Sequence, residues 1–96
     1  MGRKFELGSL VATKGVADEV DKSKEFKMFV LYSLKRFIEC DWGDLCKTDC
    51  ELNNYAIEKD GRILASYNDP TEIDRKVWII TEADRSVTTI LFPHEY

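Results

Sequence analysis

The sequence predicts an α+β fold: an antiparallel sheet of three or four strands ending in a C-terminal meander, with two main helices packed on one face. Three observations carry that expectation. Lys76 to Tyr96 reads as two apolar arms around a charged turn, Ala83-Asp84-Arg85-Ser86, because Val, Ile, Trp, Thr and Phe crowd both arms. Lys24 to Glu39 carries Phe26, Phe29, Val30, Leu34, Phe37 and Ile38 at helical spacing, which draws an apolar stripe along one side. The order strand, helix, helix and then three strands places the last three strands side by side, with the helices covering one face. At 96 residues, 44% hydrophobic and 33% charged, the chain has the size of one domain spanning 1–96 and a composition unlike that of disordered chains.

Along the chain, Phe5 to Thr13 alternates weakly and reads as an N-terminal strand that Lys14-Gly15 ends. Val16 to Val20 reads as a single helical turn. Ser23 is placed to cap the Lys24 helix, and Lys35-Arg36 near its end complement the helix dipole. Met28, Leu31 and Tyr32 widen its apolar surface beyond the stripe. Asp41-Trp42-Gly43-Asp44 breaks the periodicity: Gly43 permits a positive φ and Trp42 offers a large apolar anchor with one donor. A second helix is expected from Thr48 or Asp49 to Lys59, stopped at Asp60-Gly61 with Gly61 as the left-handed residue. Arg62 to Tyr67 alternates as a strand, and Asn68-Asp69-Pro70 turns the chain into the final hairpin.

A loop of two or four residues sets Glu82 opposite Val87, Thr81 opposite Thr88, Ile80 opposite Thr89 and Ile79 opposite Ile90. Val77, Ile79 and Thr81 then share a face with Thr88, Ile90 and Phe92. Trp78, Ile80 and Glu82 share the other with Val87, Thr89 and Leu91.

Net charge is −4, which opposes general affinity for nucleic-acid phosphates. The charge is uneven: residues 1–36 hold eight Lys/Arg against five Asp/Glu, and 37–96 hold six against thirteen. An acidic C-terminal portion of that kind can dock on a basic protein. No apolar run approaches the roughly 18–20 residues of a membrane span. MGRKFELGS lacks the apolar centre of a secretory signal, and Met1-Gly2 is not followed by the hydroxyl residue that N-myristoylation wants.

Candidate chemistry is sparse. Cys40, Cys46 and Cys50, with His94 far downstream, lack zinc-ligand spacing and read as reduced thiols. His94 beside Glu95 does not make a triad, because adjacent residues seldom point at one centre. Glu39, Asp41, Asp44, Asp49 and Glu51 crowd the helix junction without the spacing of a calcium loop. No metal and no cofactor are expected. The polar end of the hairpin supplies the one catalytic alternative: Glu82 as base and Arg85 steadying a phosphorane, as in a small ribonuclease-type toxin. Turn chemistry also explains Asp84 and Ser86, and Thr81 with Thr88 as a cross-strand pair.

Asp41-Trp42-Gly43-Asp44-Leu45 and the long run Trp78 to Tyr96, WIITEADRSVTTILFPHEY, resemble a family of short bacterial proteins. These are carried on plasmids, phages and integrated elements and are described only as plasmid-related. With Leu7 to Thr13, LGSLVAT, the resemblance covers about half the chain. It implies a bacterial cytoplasm and a mobile genetic element, and it brings no activity. The expected function is a small cytoplasmic interaction or regulatory protein without catalysis, one that blunts a host defence system. Its expected contact residues are Trp42, Asp44, Glu82, Asp84 and Arg85, its partner a protein, and its own state a monomer or weak homodimer.

Overall fold

Apolar alternation and helical spacing resolve into seven main elements in the computed structural model, which describes residues 4–96; the Met1-Gly2 start read above for acylation lies outside them. They are β1 (Ser9–Ala12), α1 (Lys14–Lys22), α2 (Lys24–Ile38), α3 (Lys47–Lys59), β2 (Ile63–Asn68), β3 (Lys76–Thr81) and β4 (Val87–Leu91). A single 3-10 turn follows at Pro93–Glu95. The four strands form one open sheet in the order β1-β4-β3-β2.

The β3–β4 hairpin has the register the sequence predicts: Thr81 faces Thr88, Ile80 faces Thr89 and Ile79 faces Ile90. Val77, Ile79, Thr81, Thr88 and Ile90 are all buried under the helices. The two threonines share a proton chain. Thr88 Oγ1 donates to the Leu7 carbonyl at 2.7 Å, so Thr81 must donate to Thr88, also at 2.7 Å. Both hydroxyls are thereby satisfied inside the core, as buried polar groups must be.

The expected sheet and the expected helices are both corrected. The sheet is mixed and not wholly antiparallel, because β1 pairs in parallel with β4, Ser9 opposite Val87 and Ala12 opposite Ile90. Alternation within a strand tells which residues share a face. It carries no information on the direction of a pairing that no local turn fixes. The strand is also shorter than Phe5 to Thr13. Gly8 takes φ +65°, with no room for a Cβ against the Arg85 and Ser86 backbone, and Phe5 and Leu7 leave the strand line for the core.

The second correction is the helix count: three substantial helices, not two. α1 was legible only as one turn, because KGVADEVDK holds few apolar residues and an early glycine. Tertiary contacts extend it. Val16 is fully buried, and the Glu95 carboxylate accepts from the Gly15 N–H at 2.9 Å, answering a helix N-terminal donor from the far end of the chain. At α3, Asp60 and not Gly61 takes the left-handed conformation, with φ +56°.

The helices lie on one face of the sheet. Val16, Phe26, Val30, Phe37 and Ala56 pack on Ile63, Ala65, Tyr67, Val77, Ile79 and Ile90. On the other face Ile80 and Leu91 are buried, and Tyr96 stands edge-on to Trp78 at 5.6 Å. Ser23 caps α2, its Oγ accepting from the Phe26 N–H at 3.1 Å. The buried residues of α2 are Phe26, Val30, Ser33 and Phe37, so a serine sits among the core-facing side chains.

The Ser33 hydroxyl is buried with no hydrogen-bond partner among the described residues. A desolvated, unpaired hydroxyl costs about 1–3 kcal/mol, and alanine fills nearly the same volume. Ser33→Ala should therefore stabilise the protein by about 1 kcal/mol, read as a higher urea midpoint at unchanged m value.

Candidate functional site

The hairpin turn is built from its backbone outward. Glu82 N–H donates to Val87 O at 3.1 Å, and Arg85 N–H donates to Glu82 O at 2.9 Å, closing a four-residue loop. Arg85 takes φ +61°, a left-handed conformation that few non-glycine residues adopt. Its guanidinium explains the placement. Nη1 donates to Gly61 O at 2.6 Å, Glu82 O at 3.2 Å and Ala83 O at 3.3 Å, and Nη2 donates to Ala56 O at 3.1 Å. Ala56 lies in the last turn of α3, its carbonyl also accepting from the Asp60 and Gly61 N–H groups, and Gly61 lies just beyond the helix, where a cation complements the dipole. Arg85 thus ties the hairpin to the C-terminus of α3.

The Glu82 carboxylate does not join it. Its nearest cation is Arg62, Nε to Oε1 at 3.5 Å, in a pair with both side chains about two-fifths exposed. Such a pair is worth under about 1 kcal/mol. Asp84 accepts from Ser86 Oγ at 2.6 Å and Ser86 N–H at 3.0 Å, and these bonds hold its carboxyl below the usual aspartate range. The three turn residues therefore answer to different partners. Both Nη atoms of Arg85 are engaged by backbone carbonyls, which fixes the guanidinium against α3, whereas the Glu82 carboxylate pairs with Arg62.

Trp42 and Asp44 serve the other margin of the molecule. Trp42 is buried against Phe5 and Phe37, with its indole N–H donating to Asn54 Oδ1 at 3.0 Å. Gly43 takes φ +75°, and a Cβ there would overlap the Ser66 carbonyl and the Tyr67 ring. This close approach sets residues 42–44 beside β2. Asp44 N–H donates to Ser66 O at 2.7 Å, and Asp44 Oδ2 accepts from Asn68 N–H at 2.8 Å. Asn53 completes the margin, its amide donating to Leu64 O at 2.7 Å and accepting from Leu64 N–H at 3.2 Å. Asp41 anchors the turn. Arg36 donates to it at 2.8 Å and 3.2 Å, and Gly43 N–H at 3.1 Å. Those Arg36 bonds, foremost, pull its carboxyl below the ordinary range. The Tyr67 hydroxyl donates to Asp41 O at 2.7 Å, and burial pushes its pKa well above that of free tyrosine.

Cys40 and Cys50 are half-buried and Cys46 is exposed. Burial raises the Cys40 and Cys50 thiols, so neither is a ready thiolate at neutral pH. Among the described residues no group of three or more His, Cys, Asp or Glu is gathered to hold a metal. His94 stacks on Phe92 at 5.6 Å, and Glu95 turns away from it to Thr13, Gly15 and Phe92. Burial alone would raise the Glu95 carboxyl. The hydrogen bonds from Thr13, Phe92 and Gly15 prevail and lower it.

Sequence reasoning missed the Arg75 cluster, because a polar loop gives no sign that its arginine is fixed. Arg75 donates Nε to Asp69 Oδ2 at 2.9 Å and Nη1 to Glu19 Oε2 at 3.1 Å, with its Cζ 4.6 Å from the Phe26 ring centroid. The Asp69 side chain is fully buried. Burial pushes its carboxyl up, and the bonds from Thr71 and Arg75 more than reverse that. The only sequence signal is Asp69-Pro70-Thr71, a spacing that lets an aspartate accept from the residue two ahead. Beside the cluster opens a cavity of about 510 Å³, lined by Glu19, Lys76, Phe92 and His94 among others. Among the described residues no hydroxyl or thiol lines it, so they offer it no serine, threonine or cysteine nucleophile.

Compared with known protein families, curated proteins and solved structures, the chain matches none. Among the described residues no helix is long and apolar enough to cross a membrane.

Two outcomes follow from this geometry. Arg85→Ala should destabilise the protein by about 2–3 kcal/mol, since it strips charge-assisted bonds from several carbonyls. Arg85→Gly should recover about 1 kcal/mol of that by relieving the positive φ; urea melts of both variants check the difference. Asp69 and Glu95 titrate below their ordinary 3.8 and 4.5 in the folded protein, so the unfolded chain binds more protons in acid. Their contribution is complete above the ordinary carboxylate range and is lost as pH falls through the folded values. Urea midpoints measured from pH 7 to pH 3 should fall below about pH 4.5, and Glu95→Gln should flatten part of that fall.

Proposed function

We propose that the protein is a small, non-catalytic interaction module whose acidic flank docks on a basic protein partner. The observation that supports it best is the state of Arg85, the one cation that a phosphate-cleaving reading of the turn requires. It is already engaged by backbone carbonyls and serves as the cap of α3.

The flank is the segment 39–60, which runs along β2. It holds Glu39, Asp41, Asp44, Asp49, Glu51, Glu58 and Asp60 against Lys47 and Lys59. All seven carboxylate residues are exposed. Such a field steers a basic partner and rejects nucleic-acid phosphates. The β2 margin is hydrogen-bonded by Asn53 and Asp44, so a partner there meets side chains and not a free strand. The resemblance of Asp41–Leu45 and Trp78–Tyr96 to plasmid-related proteins, read from the sequence alone, is what supports a bacterial cytoplasm and a mobile element as the setting, with a host defence protein as the partner.

Expression in bacteria should leave growth unchanged, and the purified protein should not cleave single-stranded RNA. Growth arrest relieved by Glu82→Gln would instead establish the toxin reading. Immobilised protein should retain a stoichiometric basic partner that elutes as salt rises, and Glu51→Lys with Glu58→Lys should abolish retention. Equal retention by that double variant would refute the docking flank.

A further inference from the structure

The two margins of the sheet are unlike. On β2 the outward backbone groups are answered from within the chain: Leu64 by the Asn53 amide, Ser66 by the Trp42 carbonyl and the Asp44 N–H, and the Asn68 N–H by the Asp44 carboxylate. β1 stands at the other end of the order β1-β4-β3-β2 and has nothing comparable. Ser9 and Thr13 donate their N–H groups to Ser86 O and Ile90 O, both at 3.0 Å, so the odd-numbered residues face β4. The N–H and C=O of Leu10 and Ala12 therefore point away from the sheet, and among the described residues none of them has a partner. All of β1 is exposed, Leu10 at 48% and Val11 at 44%. Ser9 to Thr13 holds no charged residue and no proline, the residues that keep a strand edge from pairing. What such an edge binds is an extended backbone.

Three features select β1 of a second copy as that backbone. The first is register. Because the outward residues are two apart, an antiparallel copy centred on Val11 sets Leu10 against Ala12 of the other copy, and Ala12 against its Leu10. Every outward N–H and C=O on both strands is then answered, with none left over. The second is shape. Val11 faces its own copy as a β-branched pair, the large Leu10 lies beside the small Ala12, and Ser9 lies beside Thr13, so no charge meets a like charge. The third is that nothing at this margin chooses a foreign sequence. Side-chain pockets give strand addition its specificity, and the hollows at Glu19–His94, Leu45–Leu64 and Lys24–Thr71 include no residue of β1. The strand is also already ordered, which lowers the cost of pairing two copies.

We infer that the protein forms a two-fold homodimer in which the β1 strands pair antiparallel about Val11, joining the two sheets into one continuous sheet. The β2 margins are closed, so growth stops at two copies. One short strand buries less than the roughly 1,000 Å² of a stable complex, so association is weak and is populated at high concentration. β1 and the acidic flank lie at opposite margins of the sheet, so the dimer and the docking reading stand or fall independently.

Sedimentation equilibrium of the full chain from micromolar to millimolar concentration should show a monomer–dimer equilibrium that added salt does not weaken. Over the same range the Leu10 and Ala12 amide signals should shift and exchange more slowly with solvent. A mixture of isotope-labelled and unlabelled chains should give an intermolecular NOE between the two Val11 Hα protons, which this register brings face to face. Val11→Lys sets like charges opposite each other and should weaken association at least about tenfold, as should Val11→Glu. An equimolar mixture of those two variants should pair again. Val11 is nearly half exposed, so both should keep the parent's urea melt, which confirms that they fold. A protein that stays monomeric at millimolar concentration overturns the inference. So does a Val11→Lys variant that dimerises like the parent, a dimer whose shifts fall away from β1, or an edge whose amides gain protection only with the basic partner added.

Discussion

The outer edge of β2 is the constraint to which much of this structure answers. An edge strand carries backbone donors and acceptors that must be paired or left to solvent. Here they are answered in sequence: Leu64 by the Asn53 amide, Ser66 by the Trp42 and Asp44 backbone, and Asn68 by the Asp44 carboxylate. Those bonds fix where α3 lies and how the junction before it turns. They bring Trp42 over Phe5 and Phe37 and open the approach that only glycine at position 43 allows. The junction motif is thus a seam that closes one side of the sheet.

The same economy governs the charged residues. Arg85, Arg75, Arg36 and Glu95 each spend their hydrogen-bonding groups on holding two segments together. Arginine suits this role because its fork reaches several acceptors at once and stays charged at any ordinary pH. The remaining carboxylates along segment 39–60, Glu39, Asp49, Glu51, Glu58 and Asp60, are left to solvent.

What was legible in the sequence was what short-range physics dictates. Alternation between Lys76 and Leu91 gave the hairpin register, because an even loop leaves one pairing that keeps Val77, Ile79 and Ile90 on one face. Helical spacing gave α2, and Ser23 its cap. Three things were illegible for a shared reason. The direction of β1, the length of α1 and the fixing of Arg75 all depend on partners that no local pattern announces. Glu95 reaches back to Gly15 across 80 residues, and Glu19 meets Arg75 across 56. The site residues divide in the same way: Asp84 follows from turn chemistry, whereas the carbonyls that engage Arg85 belong to a helix whose end only the fold brings near.

The pairing of β1 with β4 has a bearing on how the protein is made. Ser9 to Ala12 and Val87 to Ile90 meet only after the intervening residues 13–86 have been synthesised. A ribosome still holding the last strand in its tunnel carries a chain whose first strand has no neighbour and whose first helix lacks the carboxylate at its start. Leu10 and Val11 stay about half exposed even in the finished sheet, so what β1 lacks until Val87 to Ile90 emerge is its backbone pairing, an open strand edge in the nascent chain.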